Sequence, residues 1–543
     1  MQPKRFFKFP ARGRRGISVL LLTAAGLAAL THQQSNVDPF SLCPEVVRRG
    51  FHGVTRSSRA LYTITSNVAD YKYSLRGLTL GSDDYRQKLS EVHLRSAKRI
   101  LELCEANKGF YVKAGQFIAS IRQVPKEYSS TLSSLQDKAV PCKFKAIREV
   151  LVNNLGKDLS EIFLSFDEEP IAAASIAQVH HAWLKDYQEV AIKVQYPGLE
   201  QQMRIDITTM SLLSSFVAWI FPEYRFERVV SEFKKTISLE LDFVQEAKNC
   251  ERTSRNFRKN DVVKVPCVYW HLTTSQVLTM EFCKGSKVDD LEFLKERGIN
   301  PTKVAKALIE VFAEMIFVHG FLHGDPHPGN ILVCSEGGTG FCLVILDHGI
   351  YKELDDNFRV DFCELWKALI LLDQSKIQQL GEKFGVGKYS RYFPVIFTGR
   401  TIDSKSALGR GMSTEEKRNL KQELSSLKME DISAFMESLP EDFLMILRTD
   451  GLLRSIISKL GASQLVRLLA YARYAVYGLN TKQIAESGST VEHAFSRLWT
   501  KLRYCQLRIF LGKPTYLVPF TVTLLETRHD TTKLGGSQII VTI

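Results

Sequence analysis

The amino-acid sequence predicts an α+β fold in which a mixed core of strands and helices lies between helical flanks. Three observations predict it. Val190, Ile192 and Val194 alternate with Ala191 and Lys193, the period of a strand with one buried face. Residues 330–334 (NILVC) and 341–346 (FCLVIL) are two short apolar runs separated by the glycine-rich stretch 335–340, the pattern of a hairpin. Before about residue 141 and after about residue 355, apolar residues recur at helical spacing instead.

In chain order, residues 1–37 come first as a leader. Lys4, Arg5, Lys8, Arg12, Arg14 and Arg15 precede the apolar run 17–30, and no acidic residue occurs before Asp38. An arginine-rich, acid-free leader is the signature of organellar import. The run is about fourteen residues, short of the roughly twenty that cross a bilayer comfortably. A presequence, a short signal anchor and a secretory signal peptide all fit this pattern. The cysteine pattern weighs against secretion, so mitochondrial import is expected, with the run available as an anchor. A second span at 511–525 is not expected, because Lys513, Pro514 and Pro519 interrupt it.

Residues 83–141 read as a helical extension. Leu89, Val92, Ile100 and Cys104 share a helix that Gly109 breaks. Ala114, Phe117, Ile118 and Ile121 share a second that Pro125 stops. Residues 147–355 form the mixed core. Residues 356–543 are mostly helical, with loops near Gly385, Gly409 and Gly461.

Composition excludes several classes. A chain of 543 residues with 45% hydrophobic and 24% charged residues buries an ordinary globular core. The net charge of +13 owes six positive charges to the first fifteen residues, and no basic patch with interleaved aromatics appears, so nucleic acid is not an expected partner. The ten cysteines are scattered, without a CxxC pair, which suits buried thiols in a reduced compartment better than a disulfide frame or zinc site.

The chemistry concentrates in residues 323–330 (HGDPHPGN) and in Asp347-His348-Gly349. A kinase-type catalytic loop places an Asp beside the attacking hydroxyl and, five positions on, an Asn on a metal ion; a second Asp then holds the metal that bridges the nucleotide phosphates. Asp325 and Asn330 have that offset, and Asp347 stands at the mouth of the second hairpin strand. Lys193, on the Val-Ala-Ile-Lys strand, is the expected partner of the α- and β-phosphates. Residues 226–249 read as one helix offering Glu240, Asp242 and Glu246. At about 100° per residue Asp242 and Glu246 share a face, so Glu246 is the expected carboxylate for Lys193 and Glu240 serves another partner. Where protein kinases carry a glycine-rich loop this chain has Ala172, Ala173, Ala174 and Ser175. Alanines stiffen such a loop, and its place about twenty residues before Lys193 suits a phosphate-facing role.

Together these residues resemble the UbiB-like atypical kinases, also called aarF-domain-containing kinases. Lys113-Ala114-Gly115-Gln116 is similar to that family's KxGQ signature, Ala172–Ser175 to its alanine-rich loop, Glu240-Leu241-Asp242 to its ExD motif, and Asp347-His348-Gly349 to its metal-binding triplet. The resemblance covers roughly residues 85–360 and more loosely the helices beyond. It implies a two-lobed protein-kinase-like fold, with the KxGQ helix lying where a protein kinase admits its peptide. It also implies regulatory roles for Lys113, Gln116, Glu240 and Asp242, with Lys113 held by the ExD carboxylates. ATP and a divalent metal, taken as Mg2+, are the implied cofactors, and mitochondrial membrane lipid or coenzyme Q biology the implied context.

Two departures from protein kinases matter. His348 replaces the Phe of a DFG triplet, exchanging an apolar peg for a polar ring that can titrate near neutral pH. A helical pattern begins almost at once after Leu354, leaving no long activation segment and no APE-type anchor. A non-protein acceptor, a lipid or small hydroxylated molecule, or ATP hydrolysis coupled to membrane work is therefore expected, and with the leader this places an atypical kinase or ATPase at the mitochondrial inner membrane. The competing expectation is a nucleotide-binding pseudokinase that regulates a membrane or protein assembly.

Overall fold

The computed structural model describes residues 45–486 apart from 80, 121–123, 138–140, 222–226, 336–339, 402–411, 427–434 and 436–437. The leader, the loop expected near Gly409 and most of the 335–340 turn lie outside the described residues. The chain divides into two compact units. One comprises residues up to 245 together with 268–282, the other residues 246–267 together with 283 onward.

The first unit opens with α1 (Glu45–Ser74), α2 (Asp83–Asn107), α3 (Phe110–Ser120), α4 (Lys126–Leu132) and α5 (Phe144–Leu155). Ser82 caps α2 by accepting the Tyr85 N–H. The predicted break follows: Lys108 and Gly109 take φ of 55° and 49°, the left-handed turn that ends one helix and frees the chain to start α3. The periodicity did not announce α1, which is rich in Gly, Ser, Thr and β-branched residues. Tertiary contacts hold it instead: buried Arg56 donates from Nε to Asp206 at 3.1 Å, and its own carbonyl accepts from the Asn107 amide.

The sheet of this unit is built from β1 (Phe163–Phe166), β2 (Ala172–Ala173), β3 (Ala177–Leu184) and β4 (Glu189–Gln195). On its buried face Val190, Ile192 and Val194 pack with Ile147, Leu151, Ala182 and Val277. Lys193 lies on the opposite, half-buried face, as the period-two pattern requires. Next come α6 (Leu199–Ile220) and α7 (Glu227–Glu240).

The single helix expected over residues 226–249 is in fact two. It stops at Glu240 and restarts as α8 (Phe243–Phe257). Asp242 makes the restart by accepting the Val244 N–H at 3.0 Å and the Gln245 N–H at 3.4 Å, an N-cap rather than a helix-surface carboxylate. The Leu241 carbonyl exposed by the break is taken by the Gln195 side chain at 2.7 Å. The shared face inferred for Asp242 and Glu246 therefore does not exist. A break this short leaves the apolar rhythm on either side intact, which is why periodicity ran through it.

After Gln245 the chain belongs to the second unit, which holds the rest of α8 and β5 (Val263–Lys264). It returns to the first for residues 268–282, and β6 (Val277–Glu281) closes the sheet order β1-β3-β4-β6, with β2 on β3.

The second unit contains β7 (Ser286–Lys287), α9 (Pro301–Glu314), β8 (Phe321–His323), β9 (Ile331–Cys334), β10 (Cys342–Ile345) and β11 (Tyr351–Glu353). The predicted hairpin is β9–β10, antiparallel with Cys342 opposite Cys334 and Ile345 opposite Ile331, inside the order β5-β10-β9-β7; β8 pairs with β11. The helices α10 (Asp356–Leu371), α11 (Gln374–Lys383), α12 (Glu441–Lys459) and α13 (Gln464–Glu486) follow. Phe317, Phe362, Trp366, Phe397, Phe443 and Tyr471 fill their shared core. The mixed architecture is the predicted α+β class. Among the described residues no helix is long and apolar enough to cross a membrane.

Gly478 tests this packing. A Cβ there would overlap the Phe317 backbone carbonyl and meet Cys363 Sγ at 2.9 Å. Gly478→Ala gains about 1 kcal/mol of helix propensity but forces apart a backbone contact, so a net loss of about 1–2 kcal/mol is expected. Thermal unfolding checks it; an unchanged or raised midpoint would refute the close approach.

Candidate active site

In the first unit, Lys193 sits midway along β4 opposite Val179 of β3, with its ammonium 5.1 Å from the ring centroid of buried Phe243. A cation over an aromatic face keeps its charge while losing some of its freedom. The alanine-rich stretch is partly strand. Ala172 and Ala173 pair with Val179 and Gln178, the Ala174 N–H reaches the Ala177 carbonyl at 2.8 Å, and Tyr196 Oη donates to the Ala174 carbonyl at 3.0 Å. Ser175 lies at the bend of this pinned turn. The turn is thus tied on both sides by hydrogen bonds.

Each residue of Lys113-Ala114-Gly115-Gln116 on α3 has a separate task. Lys113 Nζ pairs with Glu240 Oε2 at 2.9 Å, both largely buried. Ala114 is buried. Gly115 lets the helix close on its neighbours, since a Cβ would overlap Leu135 and stand 3.1 Å from Cys104 Sγ. Gln116 donates its amide to the Leu135 carbonyl at 3.0 Å. Of the two ExD carboxylates expected to hold Lys113, only Glu240 does so; Asp242 is exposed and committed to its cap.

In the second unit, β8 (Phe321–His323) leads into the loop expected to be catalytic. His323 is buried, and both ring nitrogens are used. Nδ1 accepts the Asp325 N–H at 3.1 Å, which leaves Nε2 to donate to the Asp347 carbonyl at 2.7 Å. One ring thus ties the loop of Asp325 to the segment of Asp347. Burial pushes the His323 imidazole below its usual pKa, holding the neutral tautomer that this bridge needs. The loop closes on itself: Asn330 Nδ2 donates to the Asp325 carbonyl at 3.1 Å, and the Leu346 N–H bonds the Asn330 carbonyl at 2.9 Å. With its nitrogen committed, Asn330 offers its amide oxygen, the atom a hard cation prefers. Asp347 Oδ1 accepts the Gly349 N–H at 2.9 Å, which fixes the carboxylate plane. One amide oxygen and one carboxylate fit magnesium, which takes few protein ligands and completes its shell with phosphate and water. Among the described residues no group of three or more His, Cys, Asp or Glu is placed to hold a metal.

His348 stands where a DFG triplet has its Phe, and it is held from several sides. It is fully buried, with Nδ1 accepting from Tyr351 Oη at 3.0 Å and Nε2 donating to the Ile345 carbonyl at 3.0 Å, and it stacks on the Tyr351 ring at 5.7 Å. Its main chain is held as well. The N–H reaches Glu246 Oε1 at 3.4 Å, and the carbonyl accepts from Asn249 at 3.0 Å. The ring is a hydrogen-bonded peg in place of an apolar one. Glu246 is itself buried beside this main chain.

Sequence reasoning missed Arg448, whose guanidinium on α12 stands 3.8 Å from Asp325 Oδ1. It also missed the roles of Tyr351 and Asn249. Nothing in the motif spacing points to a residue more than a hundred positions beyond Asp325. His323 could have been found, because it opens the catalytic-loop motif itself.

Comparison with known proteins agrees with this assembly. The ABC1 atypical kinase-like domain matches residues 134–381. AarF domain-containing protein kinase 1 of Mus musculus is 38% identical over 442 residues, covering 80% of this chain and 84% of its own. The chain belongs to the AarF-domain-containing, ABC1-type atypical kinase family. The Gallus gallus AarF domain-containing protein kinase 1 is 35% identical over 532 residues, covering 96% of this chain and 100% of its own. Among solved structures, a complex of Rv3197 with erythromycin from Mycobacterium tuberculosis aligns with a TM-score of 0.46 at 21% identity, covering 71% of this chain and 99% of that one. That likeness is too distant to add to the family assignment.

Proposed function

We propose that this family member is a mitochondrial, membrane-associated atypical kinase or ATPase that binds Mg-ATP and acts on a lipid or small hydroxylated acceptor. The supporting observation is the His323 bridge, which organises Asp325, Asn330 and Asp347 as one hydrogen-bonded unit. In this reading Asn330 and Asp347 hold the metal, Lys193 and the pinned Ala172–Ser175 turn attend the phosphates, and Asp325 orients or deprotonates the nucleophile. When bound, the metal supplies charge that stabilises the transferring phosphoryl group. The helix α10 begins at Asp356, nine residues past Asp347, so a peptide platform of the protein-kinase kind has no room between them. That favours a non-protein acceptor. The deciding experiment is metabolite and lipid profiling of mitochondria carrying wild type against Asp325→Ala. Identical profiles, with both proteins correctly located, would sink the catalytic reading.

The compartment rests on the basic, acid-free leader. Residues 1–30 fused to a soluble reporter should carry it into mitochondria, and neutralising Arg12, Arg14 and Arg15 should impair import. Delivery to the secretory pathway would overturn the assignment.

A further inference from the structure

The second unit brings to the candidate site a cation that none of its motifs supplies. Residues 323–330 carry two histidines and one aspartate but no Lys or Arg. A phosphoryl group in transit spreads negative charge over its oxygens, and an arginine set against that charge speeds its transfer. Arg448 of α12 stands with Nη2 3.8 Å from Asp325 Oδ1, its side chain 19% exposed and that of Asp325 27%. We propose that Arg448 is a catalytic residue, an arginine finger built into the chain that meets the transferring phosphoryl group on the acceptor side. This rests on the phosphotransfer reading of Asp325 and adds to it the residue that carries the charge.

The helix is docked so as to aim this side chain. Glu441, Met445 and Arg448 follow at i, i+4 and i+7 and share one face. Along that face Glu441 pairs with Lys352 of β11 at 3.5 Å, and a Cβ on Gly324 would stand 2.9 Å from Met445 Sδ. Asp442 pairs with Lys352 at 3.2 Å and accepts the Asp355 N–H at 3.3 Å. On another side of the helix, buried Asp450 binds Arg454, Arg467 and Tyr471. Arg448 is thus mounted on a rigid element packed against the residue that precedes Asp325.

Two features set its contact apart from a structural bridge. Arg252–Glu353 and Lys459–Asp289, in the same unit, close to 2.7 Å, whereas Arg448 stops at 3.8 Å from Asp325. The loop also has no need of it, because the bonds from His323 and Asn330 to the Asp325 main chain already shape it. What Arg448 serves is the carboxylate and the group that the carboxylate addresses. In the step, the acceptor oxygen bonds to the γ-phosphorus and the bond from that phosphorus to the bridging oxygen breaks. ADP leaves with the electron pair, and the acceptor proton passes to Asp325. A hydroxyl held by Asp325 brings the phosphoryl oxygens within reach of the same guanidinium, whose forked donors can meet carboxylate and phosphoryl together.

Binding of Mg-ADP to the purified full chain, with and without fluoroaluminate as a mimic of the phosphoryl group in transit, tests this without knowledge of the acceptor. Wild type should bind at least about 100-fold more tightly with fluoroaluminate. Arg448→Ala should lose most of that gain, keep its affinity for Mg-ADP alone within a few-fold, and turn over ATP about 10³-fold more slowly. Arg448→Gln, which keeps much of the side chain's bulk should alanine unsettle α12, should behave alike. Arg448→Lys should restore only part of the gain, because an ammonium lacks the fork. Arg448→Ala should also cost a further loss in an Asp325→Ala background. No further loss there would make Arg448 a positioning residue that acts only through Asp325, and would overturn the proposal. An undiminished fluoroaluminate gain in Arg448→Ala or Arg448→Gln would overturn it too. No gain in wild type would instead bring down the phosphotransfer reading and this proposal with it, so the two failures are told apart.

Discussion

Asp325→Ala is expected to lower ATP turnover by about 10²–10⁴ while leaving nucleotide affinity within a few-fold. Asp325 is assigned to the nucleophile and touches neither phosphate nor metal in that assignment. Its loss removes orientation and proton transfer, which act only on the way to the transition state. The loop should survive, because the bonds that shape it use the Asp325 main chain: its N–H to His323 and its carbonyl to Asn330. Lys193→Ala should instead weaken binding itself. Turnover and nucleotide titration on purified full-length protein, together with rescue of cells lacking it, separate the two. Full rescue by Asp325→Ala with loss of rescue by Lys193→Ala would favour a nucleotide-sensing pseudokinase. Rescue by both would mean that nucleotide is not what this protein is for.

Asp347→Asn should weaken magnesium-dependent nucleotide binding by about 100-fold or more, because losing even an outer-shell partner of a metal site costs about 10–100-fold and Asp347 is assigned as a ligand itself. An amide cannot supply the charge that a hard cation takes from a carboxylate. Folding should be little affected, since the Asp347 carbonyl that anchors His323 is untouched and an amide oxygen can still accept the Gly349 N–H. Thermal-shift titration with nucleotide and magnesium reads both effects together. Equal ligand-induced shifts in wild type and variant would remove Asp347 from the metal site.

Much of the candidate site was legible because it is local. The five-residue offset of Asp325 and Asn330 lies within one loop. The alternation that places Lys193 opposite the buried face lies within one strand, and the β9–β10 hairpin needs only two apolar runs and a turn. Strand period and turn chemistry act over a few residues, so a single sequence reports them. Gly109 likewise marks its own break, since a glycine takes its positive φ of 49° at no steric cost.

Whatever depends on a distant partner was not legible. α1 has poor helical composition and exists through its packing, with Arg56 reaching Asp206 across 150 positions. Asp242 reads as a helix-surface carboxylate until the structure shows it capping α8, with Gln195 taking the neighbouring carbonyl. His348 reads only as a polar replacement for a Phe until Tyr351 and the Ile345 carbonyl show how the buried ring is bonded. Arg448 comes beside Asp325 only because α12 folds back onto the catalytic loop, where Met445 already crowds Gly324. The sequence by itself therefore determined the type and order of the candidate site's polar groups, because each motif is local. Tertiary structure alone decided which of them hold one another. Burial and hydrogen-bond partnership are set by residues far away in the chain, and those are the terms that assign a side chain to chemistry, to a cap or to packing.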